Sequence, residues 1–141
     1  MHNLSKQIVS DGEGISKLIQ VNVFSAKTKK QSKKVAFSIA ESLLVKTAIA
    51  GEDANWGRVV MAIGKADSSL EQNKIEISFG SLLVAKNGMK TSKNITKKLD
   101  NYMKNKIINI NVKLNIGSFQ KTVWSSDLTH DYVSINKDYR T

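Results

Sequence analysis

Cysteine and proline are absent from this sequence, and arginine is nearly so. Without cysteine the chain can form no disulfide, no cysteine-ligated zinc site and no cysteine nucleophile. Long hydrophobic runs are also missing, because no apolar stretch approaches the roughly 20 residues that a membrane-spanning helix needs. We therefore expect a globular protein without a membrane partner.

The shortage of arginine bears on how the net charge is interpreted. With 22 Lys+Arg against 12 Asp+Glu the formal charge is +10, which is typical of nucleic-acid binders. Only Arg58 and Arg140 are arginines, however, and phosphate and base recognition favours the bidentate guanidinium over the hydrated point charge of lysine. The composition therefore argues against a nucleic-acid partner, and a lysine-rich nucleic-acid binder is kept as an alternative.

The residues that are present suffice for one folded domain. The chain has 141 residues, of which 40% are hydrophobic, and a chain of this size buries roughly two-thirds of its unfolded surface. We expect a single domain over residues 1–141. Because Met1–Gln7 lacks the apolar stretch of a signal peptide, we expect a cytoplasmic protein.

Hydrophobic periodicity alternates along the chain between the strand period and the helix period. Apolar residues recur at strand spacing in 17–25, 75–79, 82–85 and 108–114, and at helix spacing in 29–42, 43–50, 56–63 and 95–102. Asn55 is suited to cap the third helix, and Gly51 and Gly64 to end the second and third. The pattern predicts an α/β (α+β) fold in which a mixed or antiparallel sheet packs with helices.

The last part of the chain predicts a hairpin followed by a helix. Asn115-Ile116-Gly117 is typical of a turn between strand 108–114 and a strand over 119–125, so we expect these two strands to pair directly. Asp127 then stands near the start of a closing helix. The apolar residues of that helix are Leu128, Tyr132 and Ile135.

Little in the spacing suggests metal binding or a standard catalytic set. His2 and His130 have no metal-ligand spacing, so no metal is expected. The five lysines between Lys27 and Lys34 lie beside and opposite the apolar stripe of their helix, which favours a solvated face. The chain has no Gly-x-Ser-x-Gly elbow, no phosphate-binding glycine loop and no Ser-His-Asp arrangement that spacing would support.

Two acidic, glycine-flanked segments are candidates for ligand binding. Ser10–Gly14 (SDGEG) alternates two carboxylates with glycines before a strand, and a carboxylate held there could meet an ammonium group. Gly51–Arg58 (GEDANWGR) combines two acids, a tryptophan and an arginine. From spacing alone, an acidic turn is the better explanation of the first segment. For the second, an internal ion pair from Arg58 to Glu52 or Asp53 is at least as good an explanation as a ligand role.

The same two segments and the C-terminus resemble the ornithine acetyltransferase family, the bifunctional glutamate N-acetyltransferases of arginine biosynthesis. SDGEG followed by Lys17 is similar to a motif of the family's β chain, and GEDANWGR is similar to the family's GED-Pro-NWGR with Ala54 in place of proline. The ending resembles the family's C-terminal signature, which here comprises Trp124, Asp127-Leu128-Thr129 and the run from Asp131 to Thr141.

The resemblance implies an N-terminal-nucleophile-like fold and acyl transfer. In this family a precursor cleaves itself into α and β chains, and the threonine exposed on the β chain carries acetyl from N-acetylornithine to glutamate. An α-amine serves as the base and an oxyanion hole on the α chain stabilises the intermediate. The resemblance implies no cofactor, leaves acetyl-CoA open as a further donor, and implies an α2β2-type assembly.

The resemblance covers only the later part of the β chain. The Ala-Thr-Met/Leu context of the nucleophile and the oxyanion-hole Thr-Gly are not found in this sequence, and Thr47, Thr91 and Thr96 stand in unrelated contexts. We therefore expect no catalytic residue in this chain and no activity from it alone. A partner comprising the α chain and the rest of the β chain would supply the chemistry.

Three substrate-binding residues are implied by the family motifs. Glu13 matches the substrate-binding Glu of DGEG, Asn136 matches an Asn near the C-terminus, and Thr141 matches the terminal Thr or Ser. Asp11, Asn55, Trp56 and Arg58 lie in the motifs and are expected to support the site. A non-catalytic, truncated remnant of the family that binds ornithine or glutamate, or neither, is the main alternative.

Overall fold

The computed structural model of the chain describes residues 17–91 and 93–127, to which all structural statements below refer. The strands are β1 (Leu18–Ala26), β2 (Glu76–Phe79), β3 (Leu82–Lys86), β4 (Met89–Lys90), β5 (Ile107–Lys113) and β6 (Phe119–Ser126). The α-helices are α1 (Lys29–Glu41), α2 (Leu43–Ala50), α3 (Trp56–Ala66) and α4 (Thr96–Tyr102), and short 3-10 turns cover Gln72–Lys74 and Lys93–Ile95.

The six strands form one mixed sheet in the order β4-β3-β2-β5-β1-β6. Among the described strands only β1 and β5 run parallel, with Val21 opposite Ile110, whereas the other neighbouring strands are antiparallel. The predicted fold class, a mixed sheet packed with helices, is confirmed.

The predicted hairpin between strands β5 and β6 is wrong, because β1 lies between them. Val21 of β1 faces Ile110 of β5 on one side and Val123 of β6 on the other. Residues 114–117 cross the end of β1, where the amide of Ile116 donates to the Ser25 carbonyl at 2.9 Å. A strand as buried as β1 needs hydrogen-bond partners for its backbone along both edges, and this central position supplies them.

One continuous apolar core joins the helices to the sheet. The alternating residues predicted for β1 and β5 are fully buried, and they pack in the same cluster as Val35 and Ile39 of α1. Two side-chain hydrogen bonds add to this packing: Ser38 of α1 donates to the Ala62 carbonyl of α3, and Ser125 of β6 to the Ala40 carbonyl of α1. The predicted buried faces are therefore confirmed.

Alternate positions of the central strands carry a half-buried row of amides. Asn22 of β1 donates to the Asn111 side chain of β5 at 2.8 Å, and Asn111 donates to the Gly80 carbonyl at 2.8 Å. Thr122 of β6 donates to Asn22 at 2.8 Å. These contacts give the β2-β5-β1-β6 region a side-chain ladder in addition to its backbone pairing.

The lysines of the first helix are expected on a solvated face. All five lysines between Lys27 and Lys34 are exposed, as predicted.

Gly64 does not end α3, contrary to the prediction, because the helix continues to Ala66. Ala66, three residues after the buried Ile63, extends the buried stripe past this glycine, so the packing of the helix outweighs the weak helix propensity of glycine. The closing helix predicted from Leu128, Tyr132 and Ile135 lies outside the described residues.

Candidate functional site

The start of β1 and the end of β6 are joined by a reciprocal pair of hydrogen bonds. The Lys17 amide donates to the Asp127 carboxylate at 3.1 Å, and the Asp127 amide donates to the Lys17 carbonyl at 3.1 Å. Both residues are buried, and Asp127 has no exposed surface. Residues 110 positions apart in sequence therefore form one corner of the sheet.

The Lys17 side chain joins two more segments to this corner. Its Nζ donates to the Asn105 carbonyl at 2.8 Å and lies 3.6 Å from Oε2 of Glu52. Its side chain is only 6% exposed, and a buried ammonium is costly unless it is paired and hydrogen-bonded. We refer to Lys17, Glu52, Asn105 and Asp127 as the corner cluster.

Glu52 occupies a strained turn at the end of α2. Gly51 is the residue that terminates this helix, as predicted, but the left-handed conformation falls on Glu52, whose φ is +57°. The Glu52 and Asp53 amides donate to the Ile49 and Ala48 carbonyls at 3.0 and 2.8 Å. Since a non-glycine residue in this region costs about 1–2 kcal/mol, the turn holds Glu52 against an intrinsic preference.

Asn55 caps α3 as the sequence predicts. Its Oδ1 accepts a hydrogen bond from the Arg58 amide at 3.2 Å, and its Nδ2 donates to the Asp53 carboxylate at 3.3 Å. An asparagine in this position satisfies one of the free amides at the helix start. The cap therefore couples the acidic turn to the first turn of α3.

Arg58 and Trp56 tie α3 to its surroundings. Arg58 Nη1 donates to the Leu44 carbonyl of α2 at 2.9 Å, while Glu52 is paired with Lys17. The ion pair considered for Arg58 with Glu52 or Asp53 is thus not the contact that forms. Trp56 is half-buried against the core and borders a cleft of about 170 Å³ that Thr91 and Leu99 also line.

The structure brings together parts of all three sequence motifs. Lys17 follows the SDGEG segment, Glu52 belongs to GEDANWGR, and Asp127 belongs to the C-terminal signature. Four residues singled out from the sequence, Asp11, Glu13, Asn136 and Thr141, lie outside the described residues.

The sequence pattern does not predict that two lysines, Lys17 and Lys46, are buried. In the sequence Lys17 stands out only as the neighbour of a motif, and Lys46, which is 8% exposed, does not stand out at all. The signal for Lys46 is its position inside the apolar run 43–50. The contact between Lys17 and Asp127 cannot be predicted from a single sequence, because the two residues are 110 positions apart and no local pattern links them.

Neither a metal site nor a membrane span is found in the described parts of the chain. Residues 17–91 and 93–127 contain no group of three or more His, Cys, Asp or Glu side chains placed to hold a metal ion. No helix among them is both long and apolar enough to cross a membrane.

Comparison with known proteins identifies the family. The ArgJ family model matches residues 1–141. The "Arginine biosynthesis bifunctional protein ArgJ" of Bartonella henselae is 50% identical over 141 residues, which are 100% of this chain and 34% of that protein. The protein of the same name from Caulobacter vibrioides is 45% identical over 99% of this chain and 34% of its own length.

A solved structure of a related protein has the same fold as this chain. The crystal structure of the arginine biosynthesis bifunctional protein ArgJ from Bacillus halodurans superposes with a TM-score of 0.83 at 41% identity, over 97% of this chain and 64% of that chain. The architecture is thus part of an N-terminal-nucleophile-like fold. The chain belongs to the ArgJ family, and it spans about a third of the length of the curated relatives it matches.

Proposed function

We propose that this chain is one domain forming the C-terminal part of the β chain of a glutamate N-acetyltransferase in cytoplasmic arginine biosynthesis. In this proposal it contributes substrate-binding residues, and the rest of the enzyme contributes the threonine nucleophile. Family membership and the names of the relatives support the reaction class.

The observation that carries the proposal is the corner cluster. Glu13 is four residues from Lys17, and an extended chain spans at most ~3.6 Å per residue, so Glu13 is tethered within ~14 Å of this corner. Asn136 and Thr141 follow Asp127 in the sequence. The pairing of Lys17 with Asp127 brings together the two points where the segments that carry these residues join the described fold, and this supports the proposal of a common pocket.

Each proposed residue has a distinct task in binding amino acids. The Glu13 carboxylate would accept charge-assisted hydrogen bonds from an ammonium group of ornithine or glutamate. The amide of Asn136 and the hydroxyl of Thr141 would hydrogen-bond polar groups of the same substrates. Asp11, Asn55, Trp56 and Arg58 would support the surrounding backbone, and the contacts of Asn55 and Arg58 are consistent with that task.

The chemical steps would take place on the remainder of the enzyme. The threonine oxygen attacks the acetyl carbonyl of N-acetylornithine, and ornithine leaves with its amine protonated. The glutamate amine then attacks the acetyl-threonine and regenerates the hydroxyl. An α-amine acts as base and an oxyanion hole on the α chain stabilises each tetrahedral intermediate. We propose an α2β2-type assembly without a cofactor, and leave acetyl-CoA open as a donor.

A chimeric enzyme tests this proposal. In it, this chain replaces the matching third of the Bartonella henselae relative, to which it is 50% identical. We expect the chimera to transfer acetyl from N-acetylornithine to glutamate and the chain alone to transfer none. Glu13→Ala should lower kcat/KM about 10- to 100-fold, because a hydrogen bond to a charged group is worth about 1.5–3 kcal/mol.

Glu71→Ala is the matched control, because Glu71 is an exposed carboxylate remote in sequence from the three motifs. It should leave kcat/KM unchanged. A folded chimera without transferase activity would favour the non-catalytic remnant, and robust activity of the isolated chain would refute the division of roles.

A further inference from the structure

Three exposed apolar side chains meet in one groove among the helices α1, α2 and α3. Leu43 and Leu44 begin α2, Met61 lies on α3, and their exposed fractions are 62%, 48% and 61%. With residues of α1 they line a groove of about 660 Å³, to which we refer as the leucine groove. Exposed apolar side chains are normal when they are scattered singly, whereas a group of them on one surface marks a contact site.

The exposed leucines reverse the usual orientation of residues in a surface helix. The two residues that follow them, Val45 and Lys46, are only 2% and 8% exposed. A helix that packs on a core ordinarily turns its leucines inward and its lysines towards solvent. Because the hydrophobic effect favours the removal of leucine side chains from water, the orientation of α2 indicates that a further surface packs on Leu43 and Leu44.

Polar contacts hold the first turn of α2 in this orientation. Ser42 caps the helix with its hydroxyl, and the Thr47 hydroxyl donates to the Leu43 carbonyl at 2.7 Å. Arg58 Nη1 of α3 donates to the Leu44 carbonyl at 2.9 Å. The leucines therefore stand on a fixed backbone, and a contact site that is ordered in advance loses little conformational entropy on docking.

The size of the leucine groove argues against a second copy of this chain as its occupant. Nine residues line the groove, whereas a stable interface between separate proteins takes roughly 20–30 residues on each side. A smaller contact suffices when both parts belong to one polypeptide, because the effective concentration of the second part is then high. The relatives are such polypeptides, since this chain matches only 34% of their length.

We propose that the leucine groove is the docking site for a segment of the remaining two-thirds of the enzyme. The segment presents apolar side chains to the two leucines and to Met61. Two cations, Arg58 and Lys65, and one anion, Glu41, line the same groove, so carboxylates beside the apolar side chains of the segment complement it. The inference rests on the proposed function, in which this chain is one part of a longer enzyme.

Cysteine labelling tests the docking, because the chain has no cysteine of its own. Met61→Cys places a thiol in the groove at an exposed position, where the substitution should leave the fold intact. We expect a maleimide to label this thiol about tenfold or more slowly in the chimeric enzyme than in the isolated chain, because thiol reactivity requires access. Peptide mass spectrometry measures the labelling of each thiol.

Met89→Cys is the matched control, because Met89 of β4 is an exposed methionine outside the groove. Its thiol should label at the same rate in the chimera and in the isolated chain. Equal slowing at both positions would report a general loss of access and would overturn the proposal. Equal rates for Met61→Cys in the two proteins would overturn it as well.

A second substitution tests the apolar contact itself. Leu44→Gln removes the apolar surface of an exposed side chain and keeps the main-chain carbonyl that Arg58 contacts. In the chimera that carries Met61→Cys, it should restore most of the labelling rate of the isolated chain. Ile107→Gln changes a similarly exposed apolar residue outside the groove and should not. A probe that stays protected in the Leu44→Gln chimera would contradict docking through the leucines.

The labelling rate in the isolated chain distinguishes the other possible occupants. Slow labelling of Met61→Cys that does not depend on protein concentration would mean that this chain covers its own groove. Labelling that slows as the concentration rises would mean that a second copy covers it. Either result overturns the proposal.

The docking proposal and the proposed function fail in different ways. An inactive chimera contradicts the proposed function whatever the labelling shows, and a chimera that does not fold contradicts both. An active chimera in which the Met61→Cys thiol labels as fast as in the isolated chain contradicts only the docking.

Discussion

Asp67 illustrates how a single polar residue can be tuned by its neighbours. It ends α3, and its carboxylate accepts hydrogen bonds from the Ser69 hydroxyl at 2.5 Å, the Ser69 amide at 3.0 Å and the Gln31 side chain at 3.0 Å. The Ser69 hydroxyl is the largest cause that lowers the pKa of Asp67, followed by Gln31. Hydrogen bonds to the charged form favour ionisation.

Ser69→Ala should move the pKa of Asp67 upward towards its usual value. A carboxyl whose pKa is lower in the folded than in the unfolded state stabilises the fold above the unfolded value of about 3.9, and this stabilisation is lost as pH falls through the folded pKa. The difference in unfolding free energy between wild type and Ser69→Ala should therefore be constant near neutral pH and shrink below about pH 4.

NMR titration of the Asp67 carboxyl and urea unfolding at neutral and acidic pH would measure both effects. Ser68→Ala, at the adjacent exposed serine, is the control and should leave the pKa of Asp67 where it is. A stability difference that grows on acidification would contradict the sign of this linkage.

At the scale of elements, the connection between β5 and β6 decides the topology. Because β1 lies between these strands, residues 114–117 pass over its end and bond to the Phe24 and Ser25 carbonyls at 3.0 and 2.9 Å. A Cβ at Gly117 would lie 2.1 Å from the Ala26 carbonyl oxygen and 2.7 Å from Lys27 Cα. This close approach of two backbones requires a glycine.

Gly117→Ala should lower the free energy of unfolding by about 3 kcal/mol, because a backbone neighbour cannot move aside as a flexible side chain can. Gly64→Ala is the matched control: Gly64 is inside α3, and a Cβ at this position would meet no atom within 4 Å. It should raise stability by up to about 1 kcal/mol through helix propensity. Urea unfolding of both variants would measure the contrast, and a neutral Gly117→Ala would argue against the crossing.

At the scale of the whole molecule, the charge of +10 is carried mainly by lysines on solvated faces. Net charge of one sign destabilises a compact state through self-repulsion. The Debye length falls from about 30 Å at 0.01 M salt to about 8 Å at 0.15 M. Added salt should therefore screen more repulsion than attraction in this chain.

We expect the Tm of the chain to rise as NaCl increases from about 10 to 150 mM. Replacing three exposed lysines of α1, Lys29, Lys30 and Lys33, by Gln should reduce this rise. Replacing the exposed neutral residues Ser81, Ser118 and Gln120 by Ala should not. Thermal unfolding followed by circular dichroism would measure these Tm values. A Tm that falls with added salt would contradict the prediction, because it would mean that attraction between opposite charges outweighs repulsion between like charges.

Much of the secondary structure is readable from local pattern. The strand at 17–25 and the helix at 29–42 follow from apolar spacing, and the Asn55 cap follows from residue type. The end of α3 cannot be predicted from local pattern, because the buried stripe through Ile63 and Ala66 continues past Gly64. At this position tertiary packing outweighs the low helix propensity of glycine.

The sequence by itself determined the alternation of buried faces, the family motifs and the excess of lysine, because each of these resides in local order or composition. Only the tertiary structure decided that β1 separates β5 from β6, that Glu52 pairs with Lys17 and not with Arg58, and that Lys17 meets Asp127. The physical reason is that strand partners and buried charge pairs are chosen by the closure of the whole sheet, in which residues 110 positions apart become neighbours.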